Sequence, residues 1–138
     1  MDLIDELTSR LNSVPGARYE SDSSSITVFP NNTDGFTVSF TKNFDTYTVF
    51  FNGWHEDFQS ADEAVGVFGF GLSDQCRLRE SRRGSYTYKW TVESLEEEEW
   101  QEQSTTALLI FPFWRRRKVY YLQNSLLSPR DSLIEKLP

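Results

Sequence analysis

Regular alternation of apolar and polar residues over 36–51 restricts the fold more than any other feature of this sequence. On both sides of a break at residues 42–45, every second residue is aromatic or aliphatic, at Phe36, Val38, Phe40, Tyr47, Val49 and Phe51. A period of two in β-branched and aromatic residues, interrupted by a turn with Asn and Asp, predicts an antiparallel hairpin with one face in water. We expect this hairpin to form the middle of a sheet against which the other apolar segments pack.

Two segments are predicted to be helices. Residues 2–14 carry a single apolar stripe, have acidic residues in the first turn and are followed by a Pro-Gly pair. A second helix begins at the capping box of Ser60 and Glu63, and its apolar stripe reaches Leu72. Three glycines weaken this helix and indicate a close approach to the sheet: Gly66, Gly69 and Gly71.

Further strands are predicted on both sides of the first hairpin. Residues 20–25 are polar and predict a loop, and residues 25–30 form a short strand after it. Residues 76–92 alternate in the same way as the first hairpin and turn near Gly84, so they predict a second hairpin.

The segments after the second hairpin differ sharply in character. Residues 93–104 are acidic and predict a connector, whereas residues 105–114 are the most apolar stretch of the chain. The lack of alternation over 105–114 predicts a strand buried on both faces, with Pro112 at a bulge, an edge or the strand's end. Residues 115–118 then turn the chain, and residues 119–122 return as the last strand.

The element order α-β-β-β-α-β-β-β-β predicts an α+β fold. We expect an antiparallel sheet of about six to seven strands, or two sheets curving together, with the helices packed on one side. A chain of 138 residues fits a single domain over residues 1–138. Residues 125–138 are expected to be a flexible C-terminal tail.

Composition limits the classes of partner and compartment. The net charge of −7 argues against general nucleic-acid binding, for which a domain is usually basic. No apolar run approaches the ~20 residues that span a bilayer, so no membrane partner is expected. The acidic N-terminus lacks the features of a signal peptide, and a single cysteine suits a reducing compartment. We therefore predict a cytoplasmic protein.

Catalytic and metal-binding patterns are weak. His55, the only histidine, precedes Glu56 and Asp57, but adjacent residues of a chain seldom converge on one point. Cys76 could act as a nucleophile with His55 as its base, although a free cysteine on a strand is more often buried. The chain has no P-loop. We predict no metal, no cofactor and no enzymatic activity, and keep a hydrolase using His55 with Cys76 or a nearby acid as the third hypothesis.

Charge is distributed unevenly along the chain. Residues 1–75 carry 12 of the 21 acidic residues but only three of the 14 basic ones. If residues 76–122 form an up-and-down meander, two basic bends meet at one end of the sheet and acidic residues 93–102 lie at the other. The predicted binding residues at the basic end are Arg77, Arg79, Arg82, Arg83, Arg115, Arg116, Arg117, Lys118 and Trp114. The predicted acidic docking residues are Glu96, Glu97, Glu98 and Glu99.

These features favour a non-catalytic protein-binding module of the chaperone, adaptor or immunity-protein kind, because separated charges steer a protein partner. The element order resembles that of the type III secretion chaperones, which are small acidic α+β proteins, but an extra strand departs from their pattern, so membership is not inferred. The alternative is a domain that binds an anionic small ligand at the Arg-rich end. A homodimer stays open, because Phe50 lies on the wetter face of the first hairpin.

Overall fold

Two antiparallel sheets and two helices make up the computed structural model, which describes residues 2–127. In chain order the elements are α1 (Leu3–Leu11), β1 (Arg18–Ser21), β2 (Ser25–Phe29), β3 (Val38–Lys42), β4 (Tyr47–Phe51), β5 (Trp54–Phe58), α2 (Ala61–Leu72), β6 (Cys76–Arg83), β7 (Tyr86–Glu96), β8 (Glu99–Ala107) and β9 (Arg117–Leu122). The α+β class with antiparallel sheets is confirmed.

The first sheet has the order β1-β2-β3-β4-β5, with each strand paired to the next. Its centre is the predicted hairpin, in which Val38 lies opposite Phe51 and Phe40 lies opposite Val49. All four of these side chains are buried on one face. The alternation therefore marked the buried face correctly, since every second residue of a strand points to the same side of the sheet.

Both helices bury apolar side chains in the same core as the first sheet. The side chain of Asp2 caps α1 by accepting a hydrogen bond from the Asp5 N–H at 3.0 Å. Ser60 caps α2 in the same way through the Glu63 N–H at 3.3 Å. A Cβ on Gly71 would lie 2.3 Å from the Phe51 ring, so the predicted close approach of this helix is confirmed at Gly71.

The second sheet has the order β8-β7-β6-β9. Its near half, with Cys76, Leu78 and Val92, belongs to the same hydrophobic cluster as the first sheet and the helices. Its far half, from the end of β6 to the start of β9, carries most of the exposed large apolar side chains of the described residues. The second sheet therefore extends from the core towards solvent.

The strands form two sheets, of five and four strands, so the alternative of two sheets applies and the total exceeds the expected six to seven. The strands missed in whole or in part are β1, β5 and β8. The strand β1 overlaps the predicted polar loop, β5 lies between the predicted first hairpin and second helix, and β8 begins within the predicted acidic connector. Each lies at an edge of its sheet. An edge strand buries little surface, so its sequence stays polar and lacks a strong alternation.

The prediction of a fully buried strand over 105–114 is also wrong. The strand β8 ends at Ala107, and residues 108–116 form the connection that leads to β9. The connection crosses from one edge of the second sheet to the other, because β9 pairs with β6 and not with β8. Residues that make this crossing cannot also form a central strand of the sheet. The predicted up-and-down order, in which β9 would pair with β8, is therefore wrong.

Residues 123–127 are tied to the core. The buried amide of Asn124 donates to the carbonyl oxygens of Phe36 at 3.1 Å and Gly71 at 2.9 Å, and accepts from the Phe36 N–H at 3.0 Å. Leu127 is buried. The first residues of the tail predicted for 125–138 are therefore packed, and residues 128–138 lie outside the described part of the chain.

Candidate functional site

The two basic bends lie side by side at the far end of the second sheet. In the ladder between β6 and β9, Arg83 is opposite Arg117 and Arg82 is opposite Lys118. Next to this pair, the Gly84 N–H donates to the Arg116 carbonyl oxygen at 3.1 Å. The two clusters are adjacent through the pairing of β9 with β6, although the meander that suggested their proximity does not exist.

Two of the predicted binding arginines are held by carboxylates of their own sheet. Arg77 donates to Glu93 at 2.7 Å, and Arg79 donates to Glu93 at 3.2 Å and to Glu102. The guanidinium of Arg77 also lies over the Tyr121 ring, 4.3 Å from its centroid. Arg79 holds the pKa of Glu102 below its ordinary value through this hydrogen bond and its charge. Both arginines are therefore engaged with carboxylates of their own sheet.

Arg82 and Arg83 are also engaged within the chain. Arg82 donates to the buried carboxylate of Glu80 at 2.7 Å and stacks 4.0 Å from the centroid of Tyr120. Arg83 donates to the Arg115 carbonyl oxygen at 3.4 Å. Such paired and stacked guanidiniums fix the local structure.

The remaining predicted cations, residues 115–118, differ from the four arginines of β6. The side chains of residues 115–118 are exposed, and none of them forms an ion pair with a carboxylate of residues 2–127. We call residues 115–118 the basic run. Their charges face solvent, where they can interact with a partner.

An exposed apolar segment precedes the basic run. Residues 108–114, which we call the apolar loop, include Leu109 at 95% exposure, Ile110 at 87%, Phe113 at 71% and Trp114 at 72%. Phe111 anchors the loop by stacking on Tyr88 with ring centroids 4.2 Å apart. The apolar character of residues 105–114 predicted a buried strand, and Trp114 was the only one of these residues predicted to bind a ligand or partner.

A wide groove of about 730 Å³ lies between Tyr86 and the apolar loop. Of the predicted binding residues only Trp114 lines it. The arginine clusters therefore do not line this groove, and the hypothesis of an anionic small ligand stays a prediction.

The four predicted docking glutamates, residues 96–99, lie at the opposite end of the second sheet from the β6–β7 turn. All four are exposed; Glu97 and Glu98 form the two-residue turn between β7 and β8, and Glu96 pairs with Glu99 on either side of it. Glu97 and Glu98 adopt φ angles of 51° and 70°. Left-handed backbone at two successive residues is the conformation that Asn-Gly adopts most easily. The glutamates at this turn therefore strain the backbone.

We expect the double substitution Glu97→Asn/Glu98→Gly to raise the free energy of unfolding by about 1 kcal/mol, because it relieves this strain. Thermal unfolding followed by circular dichroism should show a midpoint about 4 °C higher. The control is Glu97→Gln/Glu98→Gln, which removes the same two charges but keeps the strained side chains. An equal gain in the control would attribute the effect to charge repulsion and contradict the backbone explanation.

The residues of the hydrolase hypothesis lie in unlike environments. Cys76 is fully buried, and burial, with the charge of Glu93, raises the pKa of its thiol far above the ordinary value. His55 is exposed on β5 and packs against Phe50 with ring centroids 5.9 Å apart. A buried neutral thiol is a poor nucleophile, so the hypothesis gains no support. The contact with His55 also covers part of the Phe50 ring, the side chain on which the homodimer hypothesis depends.

No protein-family model matches the chain, and no curated protein or solved structure is significantly similar to it. Within residues 2–127, no helix has the length and apolar character to cross a bilayer. The same part of the chain contains no group of three or more His, Cys, Asp or Glu side chains arranged to hold a metal ion. The candidate site therefore consists of the apolar loop and the basic run.

Proposed function

We propose that this chain is a non-catalytic protein-binding module that docks through the apolar loop and the basic run. The exposure of Leu109, Ile110, Phe113 and Trp114 is the observation that carries the proposal. Soluble proteins rarely expose a contiguous group of large apolar side chains unless the group contacts a partner. Aromatic residues and arginine next to one another are also the composition of interface hot spots.

The charge around the loop defines the chemistry of the partner. Four consecutive cations, residues 115–118, follow the apolar loop and are exposed. A complementary protein surface presents apolar side chains with aspartate or glutamate beside them. The acidic turn at residues 96–99 lies at the other end of the sheet, so the field along the sheet would orient an acidic partner towards the basic run.

Selection of peptides from a random phage-displayed library on the immobilised protein tests the proposal. We expect enrichment of segments in which aromatic or aliphatic residues adjoin acidic ones. The triple substitution Leu109→Ser/Ile110→Ser/Phe113→Ser should lower the affinity for the selected peptides by about 30-fold or more, since central apolar anchors dominate interface energy. Phe44→Ser is the matched control, because Phe44 is a fully exposed aromatic residue in the β3–β4 turn.

Charge is tested separately by replacing residues 115–118 with glutamine. Binding of the selected peptides should weaken, and most of its dependence on salt should disappear, because screening acts on these exposed charges. Enrichment that is equal on the wild-type protein and the loop variant would overturn the proposal. Adsorption to phosphatidylserine vesicles without loop-dependent peptides would overturn the protein partner, and concentration-dependent self-association through the loop would assign the surface to a second copy.

A further inference from the structure

A cleft of about 360 Å³ lies between β5 of the first sheet, β7 and β8 of the second sheet, and α2. One wall is β5, from which Trp54, Glu56 and Phe58 face the cleft. These alternate residues share one face of the strand, and both aromatic side chains are buried. Glu56 therefore places a carboxylate on the face of β5 that otherwise points towards the core. A polar residue in such a position breaks the strand's pattern, and departures of this kind occur at functional sites.

The carboxylate of Glu56 is directed into the cleft by the opposite wall. Ser104 of β8 accepts a hydrogen bond from the Trp54 indole N–H at 3.1 Å, which fixes the position of its hydroxyl. The same hydroxyl donates to Glu56 at 3.4 Å. This long bond is the one hydrogen bond that the Glu56 side chain accepts within residues 2–127. Most of its acceptor capacity is available to a ligand.

The remaining lining combines apolar side chains with the polar residues Ser94, Gln103 and Glu96. Val67 and Phe70 of α2 contribute apolar surface, and Glu96 at the end of β7 adds a second carboxylate. Among residues 2–127, no lysine, arginine or histidine lines the cleft. Two carboxylates over an apolar floor create a negative potential that attracts a cation and excludes an anion.

We propose that this cleft binds an organic cation with an apolar body, with its ammonium or guanidinium group on Glu56 and its body between Phe58 and Phe70. The volume lies at the lower end of the range of ligand sites, which suits a ligand of about ten non-hydrogen atoms. A charge-assisted hydrogen bond to Glu56 would fix the polar end. The cleft is separate from the apolar loop, so this proposal and the proposed function fail independently.

Two sources could supply this chemistry: a free amine, or a lysine or arginine side chain of a bound peptide. Titrations of the ¹⁵N-labelled protein, followed by amide chemical shifts, test the shared chemistry with three matched probes. They are 2-phenylethylamine, the neutral 2-phenylethanol and the anionic phenylacetate. We expect the amine to bind with a Kd of about 1–10 mM, in keeping with its size, and about 10-fold more tightly than the alcohol. Phenylacetate should bind most weakly.

The substitution Glu56→Gln should reduce the affinity for the amine about 10-fold, to that of the alcohol, and leave the affinity for the alcohol unchanged. Leu109→Ser is the control and should bind all three probes as the wild-type protein does. The peptide acetyl-Gly-Lys-Gly-amide forms the second arm. Tighter binding of the peptide than of butylamine would identify a partner's side chain as the source, and the reverse would identify a free amine.

Three results would overturn the proposal. They are equal binding of the amine and the alcohol, unchanged amine binding by the Glu56→Gln variant, and shifts confined to residues that do not line the cleft. Absence of any shift at about 20 mM amine would have the same meaning, because a ligand of this size that fits a formed cleft is detectable at that concentration. Since Glu56 is exposed, its substitution should leave the circular dichroism spectrum unchanged.

Discussion

Replacing Asn124 by alanine is expected to lower the free energy of unfolding by about 3 kcal/mol or more. The amide makes three hydrogen bonds inside the protein, two to Phe36 and one to Gly71. Truncation leaves a buried N–H and two carbonyl oxygens without these partners, and each such group costs about 1–3 kcal/mol. Urea denaturation of the two proteins, followed by tryptophan fluorescence, gives the difference in the free energy of unfolding.

Asn124→Asp is the sharper control because it changes only the donor. Its carboxylate could still accept from the Phe36 N–H but would face the two carbonyl oxygens that the amide now contacts. Burial and these oxygens should raise the pKa of the introduced carboxyl above its unfolded value. Protonation then favours the folded state, so the loss of stability relative to wild type should shrink as the pH falls from 7 to 4. A loss that is independent of pH, or below about 1 kcal/mol for Asn124→Ala, would contradict this account.

The contrast between Asn124 and the first hairpin shows which parts of the fold the sequence predicts. Phe40 and Val49 are close in sequence, and their alternation reports a buried face directly. Asn124 contacts a residue 88 positions away, and no local pattern distinguishes this asparagine from one in a solvated loop. Contacts that join distant segments depend on the whole arrangement of elements, which local propensity does not determine.

Edge strands account for most of the errors in the predicted fold. The strands β1 and β5 and most of β8 were not predicted as strands, because their exposed positions carry charged and polar residues. One usable signal was overlooked: Asn52-Gly53 stands between Phe51 and Trp54, and Asn-Gly between apolar residues is typical of a hairpin turn. The structure pairs Phe51 with Trp54 across this turn. Turn chemistry would therefore have identified β5 where hydrophobic periodicity did not.

The candidate site was predictable in its charges but not in its apolar part. Basic residues 115–118 and acidic residues 96–99 are local clusters that the sequence displays directly. The apolar loop reads equally well as a buried strand or an exposed connection, because periodicity cannot distinguish these two. The decisive fact is the pairing of β9 with β6, which makes residues 108–116 a crossing connection and leaves Leu109 and Ile110 in solvent.

The second large effect is expected at Glu80, whose buried carboxylate joins the two sheets. One oxygen accepts from the Asn52 amide at 3.0 Å and the Trp90 indole N–H at 3.1 Å, and the other accepts from Arg82 at 2.7 Å. Asn52 belongs to the β4–β5 turn of the first sheet, and Trp90 and Arg82 belong to the second sheet. Glu80→Ala should lower the free energy of unfolding by about 3–5 kcal/mol, because removing one member of a buried pair leaves the others uncompensated.

A double-mutant cycle with Arg82→Ala separates the ion pair from the other contacts of Glu80. Arg82 is partly exposed, so water can replace some of its contacts, and its substitution alone should cost about 1–2 kcal/mol. The double variant should lose at least about 1 kcal/mol less than the sum of the two single losses, because the pair is removed only once. Additive losses would mean that Arg82 contributes through its stacking on Tyr120. Glu80 would then hold the sheets together through Asn52 and Trp90, and the ion pair would only orient its carboxylate.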